Sequence, residues 1–180
     1  MKIEADATLS FPRELVFATY RDCLVDLVPH LPNIRAIEVL EKEDNSDGNA
    51  GVTRLLNLWR AEGDIPKLAQ TVIKPEMVAW DDHAVWNEND WTCEWKVVPK
   101  FFTNNVRCEG KNQFIADGDK TTLQIRGTLD INAKGIPGVP RLLAGKIAPV
   151  IEKFIVALLT PNLVTVSQGL EKYLVERAKV

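Results

Sequence analysis

Only one stretch of this sequence sets carboxylates beside an imidazole: Trp80-Asp81-Asp82-His83. An acid and a base held together could move a proton, the commonest catalytic service of side chains. If the stretch is a strand, Asp81 and His83 share one face and Asp82 points the other way. An Asp-rich surface turn is the preferred expectation, because Asp favours turns by bonding its own backbone. His30, between Pro29 and Leu31, is expected to cap a short helix or lie on the surface. These two histidines are far apart and have no partner at ligand spacing, so no metal site is expected. The three cysteines, Cys23, Cys93 and Cys108, form no C-x-x-C pair and are expected as reduced, buried thiols of a cytoplasmic protein. A cysteine nucleophile needs a nearby base and a lowered pKa. Cys93 and Cys108 instead fall on apolar strand faces. The sequence holds no G-x-S-x-G, no S-x-x-K, no dinucleotide fingerprint and no phosphate-cradling loop, so no cofactor is expected.

Two features speak of binding rather than reaction. Asn112 falls on the apolar face of a strand beside Cys108 and Phe114, where an unpaired amide costs about 1–3 kcal/mol. A buried partner or water satisfies it, or it orients a ligand's oxygen; the first is preferred. The five tryptophans, Trp59, Trp80, Trp86, Trp91 and Trp95, all lie within 37 residues. Most are expected to pack the core, with one or two lining a chamber of the apolar, aromatic kind that small ligands use.

The elements that must position these residues are legible from periodicity. The opening KIEADATLSF alternates as a half-buried strand and is read as neither a secretory signal nor a transit peptide. Pro12 suits the first position of a helix whose buried face is Leu15, Val16, Thr19, Tyr20 and Cys23. Pro29 and Pro32 close a short second helix. From Asn33 to Ile131 the pattern is strands joined by polar turns: IRAIEVLEKE, GVTRLLNLWRAEG, a short LAQTVIK, EMVAWDDHAVW, DWTCEWKVVP, NNVRCEGKNQFIA and TTLQIRGTLDIN. The last is the clearest, with Leu123, Ile125, Leu129 and Ile131 on one side. This predicts an antiparallel sheet with one dry face and one wet face. After the Gly/Pro segment AKGIPGVP, a helical stripe runs from Leu143 to Leu174. Taken from Pro149 to Ala178 it makes about 45 Å of helix at 1.5 Å per residue, with a break or start near Pro149 and a kink near Pro161. The sheet's dry face and the helix's dry stripe answer each other, with Leu123, Ile125, Leu129 and Ile131 expected against Ile151, Phe154, Ile155 and Leu158.

The chain of 180 residues is expected to form one domain, 1–180, with its own core. Its 22 basic and 25 acidic residues leave a net charge of −3 with no basic concentration, so nucleic acid is not an expected partner. No apolar run approaches the ~20 residues of a membrane span, the longest being FIVALL.

The order of one strand, two short helices, six or seven antiparallel strands and a long C-terminal helix resembles the START-like (SRPBCC, Bet v 1-like helix-grip) superfamily. SFPRELVFATYRD is similar to that family's opening strand–proline–helix junction, and the segment from LVPHLP to LLNLW to its second helix and first hairpin. The resemblance implies an α+β helix-grip fold, a curved sheet wrapped on the C-terminal helix. It further implies binding or transport of a small hydrophobic ligand, such as a lipid, polyketide or quinone, without catalysis. The alternative it implies is a polyketide cyclase/aromatase-like or dehydratase-like enzyme using Asn112, Asp82 or His83. The iron-dependent oxygenase members are excluded by the missing Cys and His residues. The expected ligand-lining residues are Trp95, Cys108, Asn112, Phe114, Ile125 and Ile155. The entrance is expected between residues 61–67 (AEGDIPK) and 133–140 (AKGIPGVP).

Overall fold

Alternation of apolar and polar residues along the middle of the chain, residues 79–117, builds the centre of the sheet. In the computed structural model, which describes residues 1–132 and 141–179, the strands are β1 (Lys2–Leu9), β2 (Ile34–Asp44), β3 (Val52–Ala61), β4 (Ala79–Asn87), β5 (Thr92–Pro99), β6 (Val106–Asp117) and β7 (Lys120–Ile131). They form one antiparallel sheet in the order β1-β7-β6-β5-β4-β3-β2. Consecutive strands pair all the way from β2 to β7, and β1 closes onto β7, so every pairing but that one is between chain neighbours. The outer face is wet and carries cross-strand ion pairs, such as Arg126–Asp6 at 2.6 Å and Lys100–Asp81 at 2.6 Å. These exposed pairs contribute little stability individually.

The helices are α1 (Arg13–Asp22), a 3-10 helix over Leu24–His30, and α2 (Arg141–Arg177). Pro12 caps α1 rather than opening it, its carbonyl accepting from the Leu15 and Val16 amides. The buried face of α1 contains Val16, Phe17 and Thr19, whereas Leu15 is 46% exposed. Phe17 takes the expected place of Leu15 because three rings, Trp86, Trp91 and Phe114, meet it edge-on at centroid distances of 5.1–5.3 Å. α2 packs on the 3-10 helix, on β1 and on β7. It runs as one element through Pro149 and Pro161, so the expected break or start at Pro149 is not found. Each proline removes one backbone donor from a helix of 37 residues, and burial along the stripe outweighs that loss. Ile151 and Ile155 are fully buried, as are Leu123, Ile125 and Leu129 to within 2%, in one hydrophobic cluster.

The short strand expected at LAQTVIK is a pair of helical turns instead. The Pro66 carbonyl accepts from Ala69 and Gln70, and the Ala69 carbonyl from Val72 and Ile73. The buried residues there are Ile65, Ala69 and Ile73, four apart, which is helical and not strand spacing. Among the described residues, α2 is the one helix long and apolar enough to cross a membrane, and it is the helix packed in the core.

Candidate functional site

The register of the sheet places the site's side chains in rows across the concave face. One row is Asn57, Asp82, Val97, Cys108 and Leu129, each the direct cross-strand partner of the next. A second pairs Trp59 with Trp80, whose rings stack at 5.8 Å and 16°. A third runs Thr53, Trp86, Cys93, Asn112 and Ile125. Between them lies the row Ala84, Trp95, Gly110, Gly127 and Ile3. Two glycines meet in this row for a steric reason. A Cβ on Gly110 would come within 2.4 Å of the Trp95 ring, and one on Gly127 within 2.6 Å. The indole of Trp95 thus lies across both glycines.

These rows, Tyr20 and Leu24 from the first helices, and Leu159, Leu163 and Val166 from α2 enclose a chamber. About 620 Å³ of space lies between the lining atoms, the mouth included, but the centres of water-sized molecules can occupy only about 50 Å³ of it. The second figure describes the usable room, so the chamber is narrow.

Its polar groups fall into two sets. In the first, Trp95 Nε1 donates to Asn112 Oδ1 at 2.9 Å, and the Asn112 amide lies near enough to the Tyr20 hydroxyl to act on it. Burial, then the nearby Cys93 and Asp82, push the Tyr20 hydroxyl far up, so it stays protonated. In the second set, Asn57 Nδ2 donates to Asp82 Oδ2 at 3.2 Å. Burial raises the Asp82 carboxyl to about 6, against the opposing effects of the Asn57 bond, the Trp59 indole and the charge of His83. The Trp59 N–H is near enough to act on Asp82 yet lies outside the geometry of a full hydrogen bond. Three polar atoms on the walls are buried without a partner among the described residues: Asn57 Oδ1, Trp59 Nε1 and Trp86 Nε1. Burial also raises both inner thiols, Cys93 well above its ordinary value and Cys108 to about 12, so neither is poised as a nucleophile.

Of the six residues expected to line a ligand chamber, Trp95 and Asn112 are on its walls. Cys108, Phe114, Ile125 and Ile155 are at most 2% exposed and belong to the surrounding hydrophobic core. The Asn112 amide has the buried partner that was preferred for it. Four tryptophans line the chamber, and the fifth, Trp91, lies under the Arg13 guanidinium at 4.3 Å. Trp80-Asp81-Asp82-His83 is no surface turn but part of β4, with Asp82 turned into the chamber and Asp81 and His83 outward. Turn preference lost there to the alternation of Trp80, Ala84 and Trp86, which must face inward. Asn57 escaped the sequence reading, although it sits between Leu55 and Trp59 on a dry face just as Asn112 does. Residues 62–64 lie beside Phe154 and Leu158 of α2 and line a separate surface groove with them. Residues 133–140 lie outside the described residues.

A seven-stranded antiparallel sheet gripping a long C-terminal helix around a chamber is the helix-grip fold of START-like, Bet v 1-like proteins. No protein-family model matches the chain, and no curated protein matches it by sequence. Among solved structures, it is similar to TTHA0849 from Thermus thermophilus at 18% identity, covering 98% of this chain and 99% of that one with a TM-score of 0.67. It is similar to the Zhui aromatase/cyclase from a Streptomyces strain, R1128, at 16% identity, 99% and 95% coverage and a TM-score of 0.67. It is also similar to a truncated norcoclaurine synthase from Thalictrum flavum at 11% identity, 98% and 94% coverage and a TM-score of 0.60. At these identities the likeness is one of fold.

Proposed function

We propose that this protein binds and carries a small, flat, hydrophobic molecule in the chamber between the sheet and α2. The observation that carries the reading is the chamber wall itself: four indoles, Ala84, Val97 and three aliphatic residues of α2, broken by only a few polar groups. Ligand pockets are built on that pattern of apolar walls and sparse, placed polarity. The narrow gap favours a planar ring system, of the polyketide or quinone kind, over a bulky lipid. Trp95 and Asn112 are the contacts first suspected from sequence, and Trp59, Trp80 and Asp82 join them. Cys108, Phe114, Ile125 and Ile155 then act behind the wall, holding it in shape. Entry is proposed beside residues 61–67, by parting of the contact between Gly63 and the Leu158 and Phe154 side chains that divides the surface groove from the chamber.

A second reading, an enzyme of the cyclase/aromatase kind, draws support from Asp82. A chamber carboxyl at about 6 can both take and give a proton near neutrality. Native mass spectrometry after gentle purification tests the first reading: a substoichiometric or full adduct of small-molecule mass is expected. A clean mass together with no uptake of an apolar fluorescent dye refutes it. Conversion of an added polyphenolic or polyketide-like compound to a product of different mass would favour the enzyme.

A further inference from the structure

Building on the chamber as a ligand site, we propose that the Asn57–Asp82 pair is its recognition point and selects ligands bearing a hydroxyl group on an otherwise flat, apolar skeleton. An ionised carboxylate offers about four acceptor sites and needs donors when it leaves water. At Asp82 the protein supplies one full hydrogen bond among the described residues, from Asn57 Nδ2. Among the described residues, no Lys, Arg or His lines the chamber, and the α2 residues opposite are Leu159, Leu163 and Val166. Beside it, Asn57 Oδ1 is a second buried acceptor with no donor. The pair therefore presents spare acceptors to the chamber, while Trp59 Nε1 is an unpartnered donor close by.

A hydroxyl group matches this set because it gives one hydrogen bond and accepts another. Its O–H can go to Asp82, and its oxygen can accept from the Trp59 indole. An ammonium group carries no acceptor and would leave Trp59 unpaired. A ketone or ether carries no donor and would set its oxygen against the carboxylate. Hydroxyl recognition satisfies the groups that the fold leaves open, and a site built to bond a hydroxyl strongly rejects an analogue lacking it.

Binding to the ionised carboxylate is linked to pH. The groups that face Asp82 are Tyr20 from α1, Cys93 from β5 and Cys108 from β6, all kept protonated by burial. His83 acts on Asp82 from the exposed outer face of β4, and among the described residues α2 contributes no titratable group to the wall. Affinity for a hydroxyl ligand is thus highest above pH 6 and falls as Asp82 takes up its proton.

The test uses the full chain and two probes of one shape, 2-naphthol and 2-methoxynaphthalene, titrated calorimetrically near pH 7.5 and near pH 5. 2-Naphthol is expected to bind roughly ten- to a hundredfold more tightly at the higher pH, the usual range for a bond to a charged group. That preference should shrink roughly tenfold at the lower pH. Asp82→Asn should leave a preference of a few-fold at most and no pH dependence, while His83→Gln should keep both. The wild-type comparison decides the matter even if the Asp82 variant does not fold. Equal binding of the two probes, or tighter 2-naphthol binding at low pH, overturns the recognition role and leaves the chamber reading standing. If neither probe binds, the chamber reading falls and takes this inference with it.

Discussion

Replacing Asp82 with asparagine should stabilise the fold at neutral pH, and the gain can be worked from the structure. Burial lifts the carboxyl from its ordinary 3.8 to about 6. Two units correspond to about 3 kcal/mol of difference between the protonated and ionised forms. The sign follows from proton counting: between 3.8 and about 6 the folded protein holds this proton more tightly than the unfolded chain. Stability from this group therefore falls as pH rises through that interval, and the full cost is present above about 6. The amide keeps the shape and still accepts from Asn57, but never ionises. Urea unfolding of both proteins at several pH values reads the difference, and other carboxylates cancel in the comparison. The variant should gain up to about 3 kcal/mol near pH 8, with the advantage fading towards pH 4. An equal or less stable variant at pH 8, or a difference independent of pH, would refute the assignment of Asp82 as a desolvated acid. A destabilising group retained inside a core is what a binding or catalytic requirement leaves behind.

Two further outcomes test the architecture. Gly127→Ala should destabilise by roughly 1–3 kcal/mol, because its Cβ meets Trp95 at 2.6 Å and the Glu109 carbonyl at 2.8 Å, and near-ultraviolet circular dichroism should report a displaced indole. Leu129→Ala, at a side chain 2% exposed beneath α2, should cost about 2–5 kcal/mol in chemical unfolding, and a loss below about half a kilocalorie per mole would mean the dry face of β7 has been misassigned.

The strands were legible wherever one face is dry and the other wet. β7 shows this best, since Leu123, Ile125 and Leu129 alternate with polar residues over its whole length. LAQTVIK was not legible as a strand or a turn by apolar content alone; the four-residue spacing of Ile65, Ala69 and Ile73 was the signal, in a window too short to be decisive. The site was legible in part. Asn112 stood out as an amide on an apolar face, and the same argument applied to β3 would have found Asn57. Asp82 was named only for the enzyme alternative, because two adjacent aspartates suggest a turn, and the flanking Trp80, Ala84 and Trp86 fix which one faces inward. The meeting of Asn57 with Asp82 depends on the β3–β4 register, which no local pattern encodes.

The indole laid over Gly110 and Gly127 makes three distant positions behave as a single hereditary unit. While residue 95 is tryptophan, neither glycine is free to vary, although neither is needed for a turn. Were residue 95 to become small, the ring's part of the barrier would go, but a Cβ on Gly110 would still meet the Arg126 carbonyl at 2.3 Å and one on Gly127 the Glu109 carbonyl at 2.8 Å. Divergence at either glycine therefore needs the strands to part as well as the ring to move. A lineage that changes Trp95 first removes the ring and keeps the backbone barrier; one that changes a glycine first meets ring and backbone together.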